Sequence, residues 1–504
     1  MGVVRLYERA RARVKQTVFG PQPWSRRLRA VGEGAPVARG PGDQGYRPRA
    51  MSDSGLPIVA IVGRPNVGKS TLFNRYAGSR RAVVEGTPGI TRDRVTEEVE
   101  VAGRRILLVD TAGLDPDAEA GLEQAVQAQA RAALEGADAI LFVVDGKGGL
   151  LPEDEAIART LRRSARPLRL VVNKIDVPAH AARAAEFHRL GLPLSTVSAE
   201  HGTGAWDALE ELIARLGPAP AAAPPRVAGG PVRIAVVGRP NVGKSSLVNR
   251  LLGSERVVVS DAPGTTRDAV DTLLHTEDGD FILIDTAGLR RPGRRDAVAE
   301  RASAYMSIRA LERADVALVV IDASEGCTDQ DVKVAGLARE RGRPAALLAN
   351  KWDLVGRDDP RHARRVQDEI ERRLRFMADT PVLHVSATTG ARTGKILPLT
   401  RDLAQAAHTR IETSALNRWL EEATARHEPA MAQRGARRRP VKFLYATQTG
   451  VAPPSFVLFC TAPDAVQKTY LRFLENRLRE RFGLAGTPVR IRLRHRRGDE
   501  PRKG

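Results

Sequence analysis

The chain has 504 residues, more than one apolar core usually serves, so length alone implies about three domains. Two cysteines, Cys327 and Cys460, exclude a disulfide framework and lack metal-ligand spacing; they read as small buried hydrophobes in a reducing, cytoplasmic compartment. The longest uncharged run, 443–463, is broken by Gly450, Pro453 and Pro454, which excludes a bilayer span and predicts a turn between two strands. The net charge of +20 is concentrated at the ends, with nineteen Lys/Arg against nine acidic residues in 411–504. A basic end on near-neutral domains suggests a polyanionic partner, most plausibly nucleic acid, with a merely solvated basic surface as the equal alternative on charge alone.

Residues 1–55 are Arg-rich, with scattered Gly and Pro and no sustained apolar period, so disorder is expected. A transit peptide would have that composition. A non-native extension fits better, because Met51 stands just ahead of the first strand-like run.

That run, 58–62, leads into Gly63-Arg64-Pro65-Asn66-Val67-Gly68-Lys69-Ser70, a Gly-x4-Gly-Lys-Ser loop. In strand–loop–helix context such a loop cradles phosphates with backbone N–H groups, the Lys reaches the β and γ oxygens, and the Ser hydroxyl completes a Mg²⁺ shell. From 56 to 216 strands alternate with helices, which predicts a doubly wound, mostly parallel α/β sheet with ligands at its carboxyl edge. Further signals fall there. Thr91 can close over Mg²⁺ and the γ-phosphate, and Asp110-Thr111-Ala112-Gly113-Leu114 brings a carboxylate to the metal and the Gly113 N–H to the γ-phosphate. Asn173-Lys174-Ile175-Asp176 selects the base: Asp176 can accept N1–H and N2–H of guanine, whereas adenine would leave the carboxylate unpaired. Ser198-Ala199 suits a backbone contact with guanine O6. Lys69, Thr91 and Gly113 are therefore the catalytic candidates, with Ser70, Thr91 and Asp110 as Mg²⁺ ligands.

The set recurs, which makes it an internal duplication. The second copy comprises Gly238-Arg239-Pro240-Asn241-Val242-Gly243-Lys244-Ser245, Thr266, Asp285-Thr286-Ala287-Gly288-Leu289, Asn350-Lys351-Trp352-Asp353 and Ser386-Ala387, within a second predicted domain at 232–408. Its catalytic candidates are Lys244, Thr266 and Gly288, and its Mg²⁺ candidates Ser245, Thr266 and Asp285. Between the copies, 217–231 is a Pro/Ala-rich, semi-extended linker across which the modules can change orientation. A small α+β domain, read as α-β-β-α-β, is expected at 409–496, followed by a basic tail at 497–504. Its Gly483-Leu484-Ala485-Gly486 lies between a helix and the last strand and reads as a helix cap and turn rather than an RNA-gripping loop. RNA contact is therefore assigned to Arg437, Arg438, Arg439, Arg490, Arg492, Arg494, Arg496 and Arg497, of which Arg490, Arg492 and Arg494 alternate onto one strand face.

The tandem Gly-Arg-Pro-Asn-Val-Gly-Lys-Ser loops, paired Asp-Thr-Ala-Gly-Leu and Asn-Lys-x-Asp motifs, Thr-Arg-Asp segments, Leu416-Asn417-Arg418-Trp419-Leu420 and Tyr445-Ala446-Thr447-Gln448 resemble the bacterial ribosome-assembly GTPases of the Der (EngA) family. The resemblance covers about residues 56–496. It implies two P-loop GTPase domains ahead of a KH-like domain, GTP hydrolysis to GDP, a monomer without membrane attachment, and the large ribosomal subunit and its rRNA as partners. It also implies K⁺ held by Asn66 and Asn241, and hydrolysis that is slow without a partner, since Leu114 and Leu289 stand where Ras-like proteins carry a water-orienting Gln. Two other readings are a nucleotide-switched binding protein and a tRNA-modifying GTPase; the latter needs a terminal catalytic Cys, and Cys460 lies inside a strand-like run. The linker departs from the family in lacking acidic residues.

Overall fold

The structure, a computed structural model, describes residues 56–78, 95–111, 130–134, 136–164, 166–217, 230–254, 257–261, 271–286, 297–355, 360–427, 429, 431–434 and 437–495. Module 1 is built from β1 (Ile58–Val62), α1 (Lys69–Ala77), β2 (Thr96–Val101), β3 (Arg104–Asp110), β4 (Ala139–Asp145), α2 (Pro152–Arg162), β5 (Leu168–Asn173), β6 (Leu194–Thr196) and α3 (Ala205–Ile213). Its sheet order is β2-β3-β1-β4-β5-β6, with only the β2 edge antiparallel. The central strands are apolar on both faces because helices cover both, as a parallel sheet requires. The connections turn outward on either side of β1, so the loop leaving β1 sits at the crevice where such sheets bind ligands.

Module 2 repeats the plan with β7 (Val232–Val237), α4 (Lys244–Leu252), β8 (Val258–Asp261), β9 (Thr272–Thr276), β10 (Gly279–Leu283), α5 (Ala297–Arg313), β11 (Val316–Asp322), α6 (Asp329–Glu340), β12 (Ala345–Asn350), α7 (Pro360–Arg373), β13 (Val382–His384) and α8 (Ile396–Ala407). Its seven strands run β13-β12-β11-β7-β10-β9-β8. The C-terminal unit comprises α9 (Thr413–Arg426), a hairpin β14 (Met431–Arg434) and β15 (Arg437–Pro440), then β16 (Phe443–Gly450), β17 (Ser455–Cys460), α10 (Lys468–Phe482) and β18 (Arg490–Arg494). The α-β-β-α-β reading holds for its three-stranded sheet β16-β17-β18; the hairpin is an addition, in an Arg-rich stretch without apolar alternation. Gly483 caps α10 with a left-handed backbone (φ 68°), as its position after the helix implied.

Gly486, also left-handed, does more than turn the chain. A Cβ there would lie 2.6 Å from Leu403 Cδ2 and 2.9 Å from the Ala345 carbonyl oxygen. Without one, its carbonyl accepts from Ala345 N–H (2.9 Å) and its N–H donates to the Asp379 carbonyl (2.7 Å). The Asp379 carboxylate takes Arg339 (2.6 Å) and Arg479 (3.1 Å), so the C-terminal unit is hydrogen-bonded to module 2. Modules 1 and 2 share one apolar cluster that includes Val109, Ala130, Ala133, Tyr305, Ile308 and Leu311. Cys327 and Cys460 are both buried, and burial pushes their thiols up to about 12 and about 11. Among the described residues no helix is long and apolar enough to cross a membrane.

The C-terminal core centres on Phe456, Leu458, Leu474 and Leu478, all buried. Phe456→Ala is expected to cost about 3–5 kcal/mol there, read as a lowered melting transition of the C-terminal unit by calorimetry, with both GTPase modules retaining theirs.

Candidate functional site

Each phosphate loop is wound around its lysine. Lys69 Nζ donates to the carbonyls of Gly63 (2.8 Å) and Arg64 (2.7 Å), and Lys244 Nζ makes the same bonds to Gly238 and Arg239. Asn66 and Asn241 both adopt φ 64°, a left-handed turn that Asn tolerates, and both are exposed. Gly68 and Gly243 follow at φ 97° and 93°; a Cβ on either would lie 2.2 or 2.3 Å from the Nδ2 of Asn173 or Asn350. Val67 and Val242 are buried anchors, and Pro65 and Pro240 lie at the loop surface. The hydroxyl-bearing Ser70 and Ser245 open α1 and α4 on the exposed side.

Burial lowers both lysines to about 8. In each module an aspartate opposes this and an arginine adds to it, Asp110 and Arg64 in module 1, Asp331 and Arg239 in module 2.

The base-recognition loops close on the same element. Asn173 Nδ2 donates to the Val67 carbonyl (2.8 Å) and its Oδ1 accepts the Ala199 N–H (2.9 Å); Asn350 makes the matching bonds to Val242 (2.8 Å) and Ala387 (3.0 Å). Within Ser198-Ala199, the segment expected to offer a backbone contact to guanine O6, the Ala199 N–H is taken by Asn173, which keeps a buried donor satisfied. Lys174 Nζ donates to the Asn66 carbonyl (2.8 Å) and to Asp145 (2.6 Å), and Lys351 pairs with Asp322 (2.5 Å). Ile175 flanks the site, partly buried.

Asp176 accepts from Ser198 Oγ (2.8 Å) and pairs with Lys147 Nζ (2.6 Å), which, with Ser198, holds its carboxyl below the usual range. Lys147 thus occupies one oxygen of the carboxylate that is the candidate acceptor of the guanine donors. Module 2 has Ser324 at the matching position, bonded to Asp322 at 2.6 Å. There Trp352 stacks on His384 with centroids 3.7 Å apart, beside Asp353; Ser386 turns inward and accepts from Thr389 N–H.

The modules differ at the third motif. Asp110, buried, ends β3 with its N–H donated to the Val95 carbonyl (2.8 Å), and Thr111 Oγ1 donates to the Ile61 carbonyl (2.6 Å). Asp285 lies beyond β10 at φ 57°, its N–H on Asp271 Oδ1 (3.1 Å), while Arg313 pairs with the other Asp271 oxygen. Thr286 shares a 2.9 Å hydroxyl bond with Thr272. Thr91, Ala112, Gly113, Leu114, Thr266, Ala287, Gly288, Leu289, Arg496 and Arg497, and the side chains of Arg437, Arg438 and Arg439, lie outside the described residues. Arg492 and Arg494 are exposed on β18; Arg490 is partly covered, its Nη2 3.2 Å from where a Cβ on Gly342 would stand.

Sequence reasoning passed over three bracing pairs. Arg64 donates to buried Asp154 (2.8 Å), and Arg239 pairs with Glu325 and buried Asp331 (3.4 Å), so the two arginines are drawn back toward α2 and α6. Asp145 and Asp322 hold the motif lysines. Arg75 and Arg250 tether the Ala199-Glu200 and Ala387-Thr388 carbonyls. The bracing side chains recur at the duplication offset of 175 or 177 residues, although the carbonyls held by Arg75 and Arg250 lie 188 apart, and that recurrence is the signal that could have found them. The hydroxyls of Ser70 and Ser245 and the carboxylates of Asp110 and Asp285 are hard oxygen donors of the kind Mg²⁺ takes, and the residues fit that ion.

Because a bound polyphosphate restores the charged form of a lysine held near 8, nucleotide binding at pH 8.5 should take up protons, approaching one per module, and less at pH 6.5. Titration calorimetry in buffers of different ionisation enthalpy measures this; Lys69→Met should halve the uptake.

Two family models match: one described as 50S ribosome-binding GTPase, at residues 58–174 and again at 233–351, and one described as the KH-domain-like C-terminal part of EngA bacterial GTPase enzymes, at 410–494. GTPase Der of Syntrophotalea carbinolica is 48% identical over 88% of this chain and 100% of its own. GTPase Der of Moorella thermoacetica is 47% identical over 88% of this chain and 99% of its own. With two guanine-nucleotide pockets assembled alike, a KH-like unit behind them and that similarity along the whole described length, the chain belongs to the GTPase Der family.

Proposed function

We propose that the chain binds GTP in both modules, hydrolyses it to GDP and phosphate, and uses the nucleotide state to arrange its domains on the large ribosomal subunit during that subunit's maturation. The observation that carries the nucleotide reading is the pair of asparagines, Asn173 and Asn350, each bonding a phosphate loop to a base-recognition loop. Family membership and the exposed arginines of β18 support the ribosomal partner.

In each pocket the lysine, already stripped of water by burial, is placed to meet the negative charge that grows on the transferring phosphoryl group. Left-handed turns at Asn66 and Asn241 are the backbone form with which such loops present N–H groups to a phosphate. Ser70, Thr91 and Asp110, or Ser245, Thr266 and Asp285, would hold Mg²⁺, which when bound neutralises the β and γ oxygens. Asp176 and Asp353 orient the guanine and exclude adenine. Gly113 and Gly288 supply an N–H to the γ-phosphate. With Leu at 114 and 289, no side-chain amide orients the water, so turnover is slow until a partner or K⁺ at Asn66 and Asn241 contributes charge.

Replacing K⁺ by Na⁺ at constant ionic strength should lower single-turnover hydrolysis tenfold or more, on the order of one transition-state charge contact, and Asn66→Ala with Asn241→Ala should remove the difference. Equal rates in the two ions would refute the K⁺ assignment. For the partner, co-sedimentation with large subunits should be stronger with a GTP analogue than with GDP and fall steeply from 50 to 200 mM salt; Arg492→Ala with Arg494→Ala should flatten that salt dependence.

A further inference from the structure

The two base-recognition sites share one backbone frame, so side chains that differ between them can be compared in place. After β4, the Asp145 carboxylate accepts the backbone N–H of Lys147 (2.9 Å) on one oxygen and Lys174 Nζ (2.6 Å) on the other. After β11, Asp322 accepts the N–H of Ser324 (3.0 Å) and Lys351 Nζ (2.5 Å) in the same way. Across the site, Ser198 Oγ accepts the His201 N–H (3.2 Å) and Ser386 Oγ accepts that of Thr389 (3.1 Å), while Arg75 and Arg250 hold the carbonyls of Glu200 and Thr388. Positions 147, 200 and 201 therefore match 324, 388 and 389.

The frame carries unlike side chains. Module 1 has Lys, Glu and His at the three positions, and module 2 has Ser, Thr and Thr, so ionisable groups line the first site where hydroxyls line the second. Lys147 Nζ reaches one oxygen of Asp176 (2.6 Å), and Ser198 Oγ takes the other (2.8 Å). Ser324 has no such reach, and its hydroxyl is bonded to Asp322 (2.6 Å).

Asp176 is the candidate acceptor of guanine N1–H and N2–H, and Lys147 brings three N–H donors and a full charge to the same carboxylate. Competition for one acceptor has two effects. Guanine has to share or displace the ammonium, which weakens its binding by the modest amount that an exposed ion pair contributes, Lys147 being half exposed. A purine lacking the 2-amino group leaves one carboxylate oxygen without its donor, a mismatch that ordinarily penalises the analogue heavily. Beside Lys147 that oxygen already has a donor.

We infer that Lys147 is a specificity-determining residue of module 1: with it, the pocket binds guanine nucleotides less tightly, and separates guanine from hypoxanthine less sharply, than the same frame does with a serine. The inference rests on the nucleotide reading above.

The test uses the full chain. In an Asp353→Asn background, which removes the candidate guanine acceptor of module 2, fluorescent GDP reports module 1 and is displaced by GDP or by IDP, the hypoxanthine nucleotide. An Asp176→Asn background reports module 2 in the same way. Lys147→Ser should tighten GDP in module 1 on the order of threefold at about 50 mM salt, a gain that shrinks toward one at about 500 mM as the exposed charge is screened. It should also raise the ratio of the IDP to the GDP dissociation constant by roughly threefold or more. Lys147→Arg, which keeps the charge, should behave as the parent, and Ser324→Lys should lower the ratio in module 2. A ratio indifferent to both exchanges, or GDP bound more weakly once Lys147 is gone, overturns the inference. If the Asp353→Asn chain takes up no GDP with lysine or serine at 147 alike, the nucleotide reading of module 1 itself fails.

Discussion

One buried amide per module holds the ligand-facing loops together. Asn173 and Asn350 each donate to the carbonyl of the phosphate-loop valine and accept from the alanine N–H of the last base-recognition loop. Three segments distant in the chain are thereby locked at the carboxyl edge of the sheet before any nucleotide arrives. A side chain with both a donor and an acceptor is needed at this point, since a carboxylate could satisfy only one of the two loops. Around it, every motif lysine is committed to loop carbonyls or to an aspartate, so the pocket is a hydrogen-bonded framework rather than a set of free charges.

The duplication makes the two modules alike where they hold nucleotide and unlike where they touch. Asp110 ends a regular strand, while Asp285 is turned beyond one, its N–H passed to Asp271 and that carboxylate pinned by Arg313. The position of Arg313 is Gly136 in module 1, which is where Tyr305 enters. The duplication has thus kept the ligand-holding residues and changed those around them.

Much of this was legible in the chain. The apolar runs became the central strands, the Gly-x4-Gly-Lys-Ser octapeptides fell on strand–loop–helix junctions, and Gly483 capped its helix, because each depends on local geometry that a short segment encodes. What was not legible depends on partners far apart in sequence. Nothing local marks Asp154 as the brace for Arg64, Lys147 as the partner of Asp176, or Gly486 as the point where the C-terminal unit meets module 2. The β14–β15 hairpin escaped because Arg437-Arg438-Arg439 shows none of the alternation that betrays a half-buried strand.

The ion pair between Lys147 and Asp176 exists in module 1, and the matching residue of module 2 is Ser324, turned toward Asp322. The carboxylate of the first pocket thus already carries an ammonium, whereas the residue at that position in the second is a hydroxyl drawn to a different aspartate. Two almost identical peptide signatures therefore sit in unlike electrostatic company, and the difference comes from a residue outside both signatures.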